Sequence, residues 1–121
     1  MPENFVTLFD SYFLPQGICL IQSLLSFDDY DFKLWIICCD EKSYIFLEKL
    51  NFSRVVLLKL DELESSNLKL LRSKRSIREY YWTITPLSFL WVYAQDNSIE
   101  RLTYLDADLY FFKSPSLIID E

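Results

Sequence analysis

Two aspartates, Asp106 and Asp108, stand one residue apart in RLTYLDADLYFF, residues 101–112, an otherwise apolar and strand-like run. Ionised carboxylates are costly to take out of water, and at alternate positions of a strand they lie close to one another. Such a pair calls for something cationic or strongly hydrogen-bonding, and a divalent metal answers that need. Spacing alone does not single the pair out, because DDYD at 28–31 holds a second Asp-x-Asp, Asp29 and Asp31. There a solvated turn between a helix and a strand accounts for both carboxylates. Asp106 and Asp108 differ in context: LTYL leads into them, the small Ala107 separates them, and an aromatic run follows.

Composition closes several other routes. The 121 residues include no histidine, so an imidazole base or ligand is closed to this chain acting alone. A single glycine, Gly17, excludes a P-loop or a G-x-G-x-x-G cradle, and leaves a metal as the means of holding a phosphate. The net charge is −6 and the basic residues form one local cluster, RSKRSIR at 72–78, so no nucleic-acid partner is expected. Cys19, Cys38 and Cys39 lie in apolar runs and read as reduced core thiols of a cytoplasmic protein. MPENF has no basic region followed by an apolar one, so no targeting signal is expected. The formal glycosylation sequon at Asn51 is accordingly read as incidental.

The elements that must position the aspartates follow from the pattern of apolar runs. FVTLF (5–9), FKLWIICC (32–39) and RVVLLKL (54–60) read as strands, and RLTYLDADLYFF as a fourth. Between them, PQGICLIQSLLSF (15–27) has Ile18, Ile21, Leu24 and Leu25 at helical spacing behind a proline. Asp40 is placed to cap a helix with Tyr44, Ile45, Leu47 and Leu50 on its apolar face, and Asp61 to cap ELESSNLKLLRS. Thr85 and Pro86 read as the N-cap and first position of LSFLWVYAQD. No run reaches the roughly 18 apolar residues of a membrane span, and EYYWTITPLSFLWVYA reads as a core helix. Strands apolar on both faces and alternating with helices predict one α/β domain over residues 1–121, with a mainly parallel sheet covered on both sides. Ligands of such sheets bind beyond the carboxyl ends of the strands, where Asp10, Asp40, Asp106 and Asp108 fall.

YLDADLYFFKSP, together with FVTLFDSYFLPQGICLIQSLL and REYYWTITPLSFLWVY in that order, resembles the N-terminal half of a GT-A-fold glycosyltransferase of the family 8 type. The resemblance runs along nearly the whole chain. It implies a Rossmann-like sheet and a nucleotide-diphosphate sugar donor, with UDP as the nucleotide. Mn2+ or Mg2+ would be held on the diphosphate by Asp106 and Asp108, Asp106 also reaching toward the ribose. Thr7, Phe9, Asp10 and Tyr12 match the positions beside the nucleobase, and Arg78 falls near the donor phosphates. The chain departs from the family in having no histidine to serve as a third ligand.

The resemblance also implies that the acceptor segment lies beyond what this chain holds. The isolated chain is then expected to bind a donor without turning it over, and to self-associate through exposed apolar surface. A second reading keeps the fold and drops the chemistry, as a non-catalytic nucleotide- or protein-binding remnant. A phosphohydrolase with an aspartate nucleophile also carries Asp-x-Asp after an apolar strand. Its pattern, however, continues to threonine or valine where this sequence has Tyr110.

Overall fold

Four strands form one sheet in the order β3-β2-β1-β4: β1 Glu3–Phe9, β2 Phe32–Cys38, β3 Val55–Lys59 and β4 Leu102–Tyr104. The computed structural model describes residues 3–27 and 29–115, and Asp28 of the DDYD turn lies outside them. All three pairings are parallel, with Phe9 opposite Cys38 and Val6 opposite Tyr104. The chain is therefore of the α/β class, with a Rossmann-like all-parallel sheet flanked by helices.

Alternation along the strands builds two cores. Phe5, Phe9, Leu34, Ile36 and Cys38 face α1 (Leu14–Leu25) and α2 (Glu41–Leu50), where Leu20, Ile21, Leu24 and Leu47 are buried against them. Val6, Leu8, Trp35, Ile37 and Cys39 face the other way. They meet Leu60 of α3 (Leu60–Leu63), Leu68 of α4 (Ser66–Lys74), and Tyr80, Ile84 and Val92 of α5 (Ile77–Gln95). Both faces of β1 and β2 are thus covered, which is why these strands read as unbroken apolar runs.

The structure corrects several expectations. Strand β4 stops at Tyr104, and one further ladder bond, Leu105 N–H to the Val6 carbonyl, ends the pairing. Asp106 and Asp108 follow in a turn closed by the Leu109 N–H on the Asp106 carbonyl, and both are exposed. Carboxylates favour water over a sheet interior, so the chain leaves the sheet before they occur.

Helix α5 does not begin at Thr85. It starts after Ser76, whose hydroxyl accepts from Glu79 N–H while donating to the Glu79 carboxylate. That S-x-x-E cap outweighs the Thr-Pro signal and leaves Pro86 inside the helix. Pro86 is exposed, so water can reach the carbonyl of the preceding turn that has lost its N–H partner.

Asp61 caps nothing. It lies in the single turn of α3, while Ser65 caps α4 by accepting from Leu68 N–H. Of the apolar face expected for α2, Leu47 is buried and Tyr44 packs against the core, while Ile45 and Leu50 are substantially exposed and Ser43 is buried in their stead. Cys19 faces solvent on α1; only Cys38 and Cys39 are core thiols, and burial pushes the Cys38 thiol up to about 12.

Asp40 does cap α2, accepting from Ser43 N–H at 3.0 Å. Asn51, the sequon asparagine, ends that helix in the left-handed conformation at φ 49°. Among the described residues, no helix is long and apolar enough to cross a membrane. α5 packs as a core helix, burying Tyr80, Ile84, Ser88 and Val92 and turning Trp82 and Leu90 outward.

Candidate functional site

From β1 the sheet grows to β2 on one side and to β4 on the other, so the crevice beyond the carboxyl ends of β1 and β4 is the topological switch point. Asp10 follows β1 directly. Asp106 and Asp108 follow β4. The N-terminal turns of α5 border the same end, since the Tyr81 hydroxyl donates to Asp10 Oδ2 at 2.7 Å. Arg78 is exposed one turn earlier, on the helix face shared by positions three apart.

The aspartate pair is held outward by its neighbours. Leu105 is buried, and Ala107 and Phe111 pack on the same core, that of α1, while the Phe111 N–H donates to Ser23 Oγ at 3.2 Å. These anchors alternate with Asp106 and Asp108 and leave both carboxylates facing water. On the α5 side, burial raises the Tyr104 phenol; its hydrogen bond with Thr85 opposes that shift, and nearby Asp106 and Asp108 add to it. Both carboxylates are thus within electrostatic reach of the end of β4.

A short 3₁₀ turn, Ser11–Phe13, carries the exposed Tyr12 and is tied down by three hydrogen bonds to two aspartates. Asp10 Oδ1 accepts from Tyr12 N–H at 3.0 Å. Asp40 Oδ2 accepts from Ser11 N–H at 3.0 Å and from Ser11 Oγ at 2.7 Å. Burial pulls the Asp40 pKa up, but the hydrogen bonds from Ser43 and Ser11 outweigh it and hold it at about 2. Asp40 therefore joins the turn to α2 as well as capping that helix.

Thr7 and Phe9 are 0% and 2% exposed, so they lie beneath the crevice. Thr7 Oγ1 is buried without a hydrogen-bond partner among the described residues. Gly17 brings α1 against Phe9: a Cβ there would stand 2.4 Å from the ring.

Behind the crevice lies an ionic network that the sequence reading missed. Glu64, buried, pairs with Arg72 at 3.2 Å and accepts from the Tyr80 hydroxyl, while Arg72 also donates to the Cys39 carbonyl at 3.2 Å. Tyr81 was missed too. Its partner lies 71 residues away, and no local pattern marks the contact.

A separate groove of about 270 Å³ runs along the free edge of β3, lined by Tyr44, Leu57, Leu58, Lys59, Glu62, Leu63 and Gln95. Its lysine is already paired with Glu41 and sits over the Tyr44 ring. The groove flanks an edge strand and holds none of the carboxylates gathered at the switch point, so the crevice is the better candidate site.

Asp106 and Asp108 are hard oxygen donors, the type that suits Mg2+ or Mn2+ bound through one or two carboxylates plus phosphate oxygens and water. Among the described residues, no group of three or more ligating side chains gathers.

No protein-family model matches the chain. The chain is similar to the uncharacterized protein YfnF of Bacillus subtilis (strain 168), at 32% identity over 120 residues, 99% of this chain and 39% of that protein. It is also similar to the uncharacterized protein YfnD of the same organism, at 33% identity over 91 residues, 75% of this chain and 29% of that protein. The chain therefore spans well under half the length of these relatives.

Proposed function

We propose that this chain is the donor-binding part of a GT-A-fold, family 8-like glycosyltransferase, which holds a UDP-sugar with Mn2+ or Mg2+ at Asp106 and Asp108. One observation carries the reading: an outward-facing pair of carboxylates at the switch point of a parallel sheet, beside the loop that bears Asp10 and Tyr12. In this reading Asp108 and Asp106 hold the metal, and Asp106 also reaches toward the ribose. Asp10 accepts from a base N–H, and Tyr12 offers an aromatic face. Thr7 and Phe9 support that loop from below, and Arg78 faces the phosphates. The metal would neutralise the charge that develops on the diphosphate leaving group. The sugar and the acceptor are left open.

Calorimetric titration of UDP with and without Mn2+ tests the reading. Binding should depend on the metal and should vanish in Asp108→Asn. Equal binding with and without metal would remove the aspartate pair from the site. Following nucleotide release from UDP-glucose in the same samples separates transfer or hydrolysis from the alternative, a remnant that binds and does no chemistry.

A further inference from the structure

We propose that Tyr81 is a positioning residue that fixes Asp10 for reading the nucleobase; this rests on the crevice being a nucleotide-diphosphate site. The carboxylate can only accept, so in the 2.7 Å contact the phenol is the donor. Such a bond to an ionised acceptor is short and stronger than a neutral one. Burial, then Cys39 and the bond to Asp10, raise the Tyr81 pKa, so the hydroxyl keeps its proton across the working range.

The ring of Tyr81 packs on the core of the α5 side and does not swing freely. The other oxygen of Asp10 accepts from Tyr12 N–H, only two residues along. Asp10 is therefore gripped by two elements, its own turn and α5, one through each carboxylate oxygen, which fixes the plane of the carboxylate. A carboxylate selects a base by where the base carries its N–H, so a fixed orientation is what gives selection. Without the phenol only the local contact remains. Asp10 can then rotate to meet the donor edge of more than one base, while the diphosphate is still held at Asp106 and Asp108.

The test compares UDP, GDP, ADP and inorganic pyrophosphate, each with Mn2+, by calorimetry on the wild type, Tyr81→Phe, Asp10→Ala and the double variant. Tyr81→Phe keeps the ring and removes one oxygen, and its melting curve checks the fold. The expected result is a fall of about fivefold in the UDP-to-GDP affinity ratio, the worth of one hydrogen bond. The UDP-to-pyrophosphate ratio should fall with it, and Asp10→Ala should lose the preference as well. Adding Tyr81→Phe to Asp10→Ala should change nothing further.

Ratios unchanged in Tyr81→Phe, or affinities for all four ligands falling in step, would overturn the role of Tyr81 and leave the nucleotide site standing. No binding of any nucleotide by the wild type would overturn the nucleotide reading and this inference together.

Discussion

Removing the Asp40 carboxylate should destabilise the protein by about 2 kcal/mol at neutral pH, with a loss that depends on acidity in a defined window. Asp40→Ala deletes the cap of α2, worth about 1 kcal/mol. It also deletes two bonds from Ser11, each worth about 1 kcal/mol at a partly exposed, charge-assisted contact. The three share one carboxylate and do not add fully, hence about 2 kcal/mol.

The folded pKa of about 2 lies below the ordinary 3.8, so the carboxylate's charged form favours the folded state. That contribution is complete above 3.8 and is lost as pH falls toward 2, because the unfolded chain takes up the proton first. The full shift corresponds to about 2.5 kcal/mol, and solvent screening at this half-open position reduces it to about 1 kcal/mol. Urea unfolding of wild type and Asp40→Ala at pH 7, 5 and 3 would measure it. The gap should be equal at pH 7 and 5 and smaller by about 0.5 kcal/mol at pH 3. A gap below about 0.5 kcal/mol at pH 7, or one that widens in acid, would refute the assignment of Asp40 as the clamp between α2 and the Ser11–Phe13 turn.

Gly17→Ala should cost about 1 kcal/mol in thermal denaturation, as a 2.4 Å approach to the buried Phe9 ring outweighs the gain in helix propensity; adding Phe9→Leu should recover part of it. Arg72→Met should cost about 3 kcal/mol by urea unfolding, because it removes the cation paired with the buried Glu64 carboxylate and leaves the Tyr80 hydroxyl as its partner among the described residues. Pro86→Ala should raise stability by about 1 kcal/mol, since it restores an N–H in the interior of α5 on an exposed face. A fall in melting temperature would mean that the packing of α5 depends on the proline.

Much of the scaffold was readable because its signals are local. FVTLF, FKLWIICC and RVVLLKL are continuous apolar runs of strand length, and Pro15 and Asp40 mark the starts of α1 and α2. Where two local signals competed, the reading followed the wrong one: Thr85-Pro86 hid the Ser76–Glu79 cap, although that S-x-x-E pattern was legible. The end of β4 was misjudged because LTYL and LYFF are both apolar, and only pairing with β1 reveals that the ladder stops between them. The place of the aspartate pair at the carboxyl end of the fourth strand was legible, and its outward orientation was not. Contacts such as Tyr81 to Asp10, Ser11 to Asp40 and Tyr80 to Glu64 join residues 71, 29 and 16 apart, and the fold alone brings them together.

The most direct measurement is the melting temperature with saturating Mn2+ and UDP, singly and together, on wild type, Asp108→Ala and Asp31→Ala. Asp31 is the control, since it has the same Asp-x-Asp spacing but precedes β2, at the amino end of the sheet. A ligand at ten times its Kd stabilises the folded state by about 1.4 kcal/mol, a rise of about 5 °C for a domain of this size. The rise should appear in wild type and Asp31→Ala only when metal and nucleotide are both present, and be absent from Asp108→Ala. An unchanged melting temperature in the wild type, or an equal rise in Asp108→Ala, would contradict a metal–diphosphate site at Asp106 and Asp108.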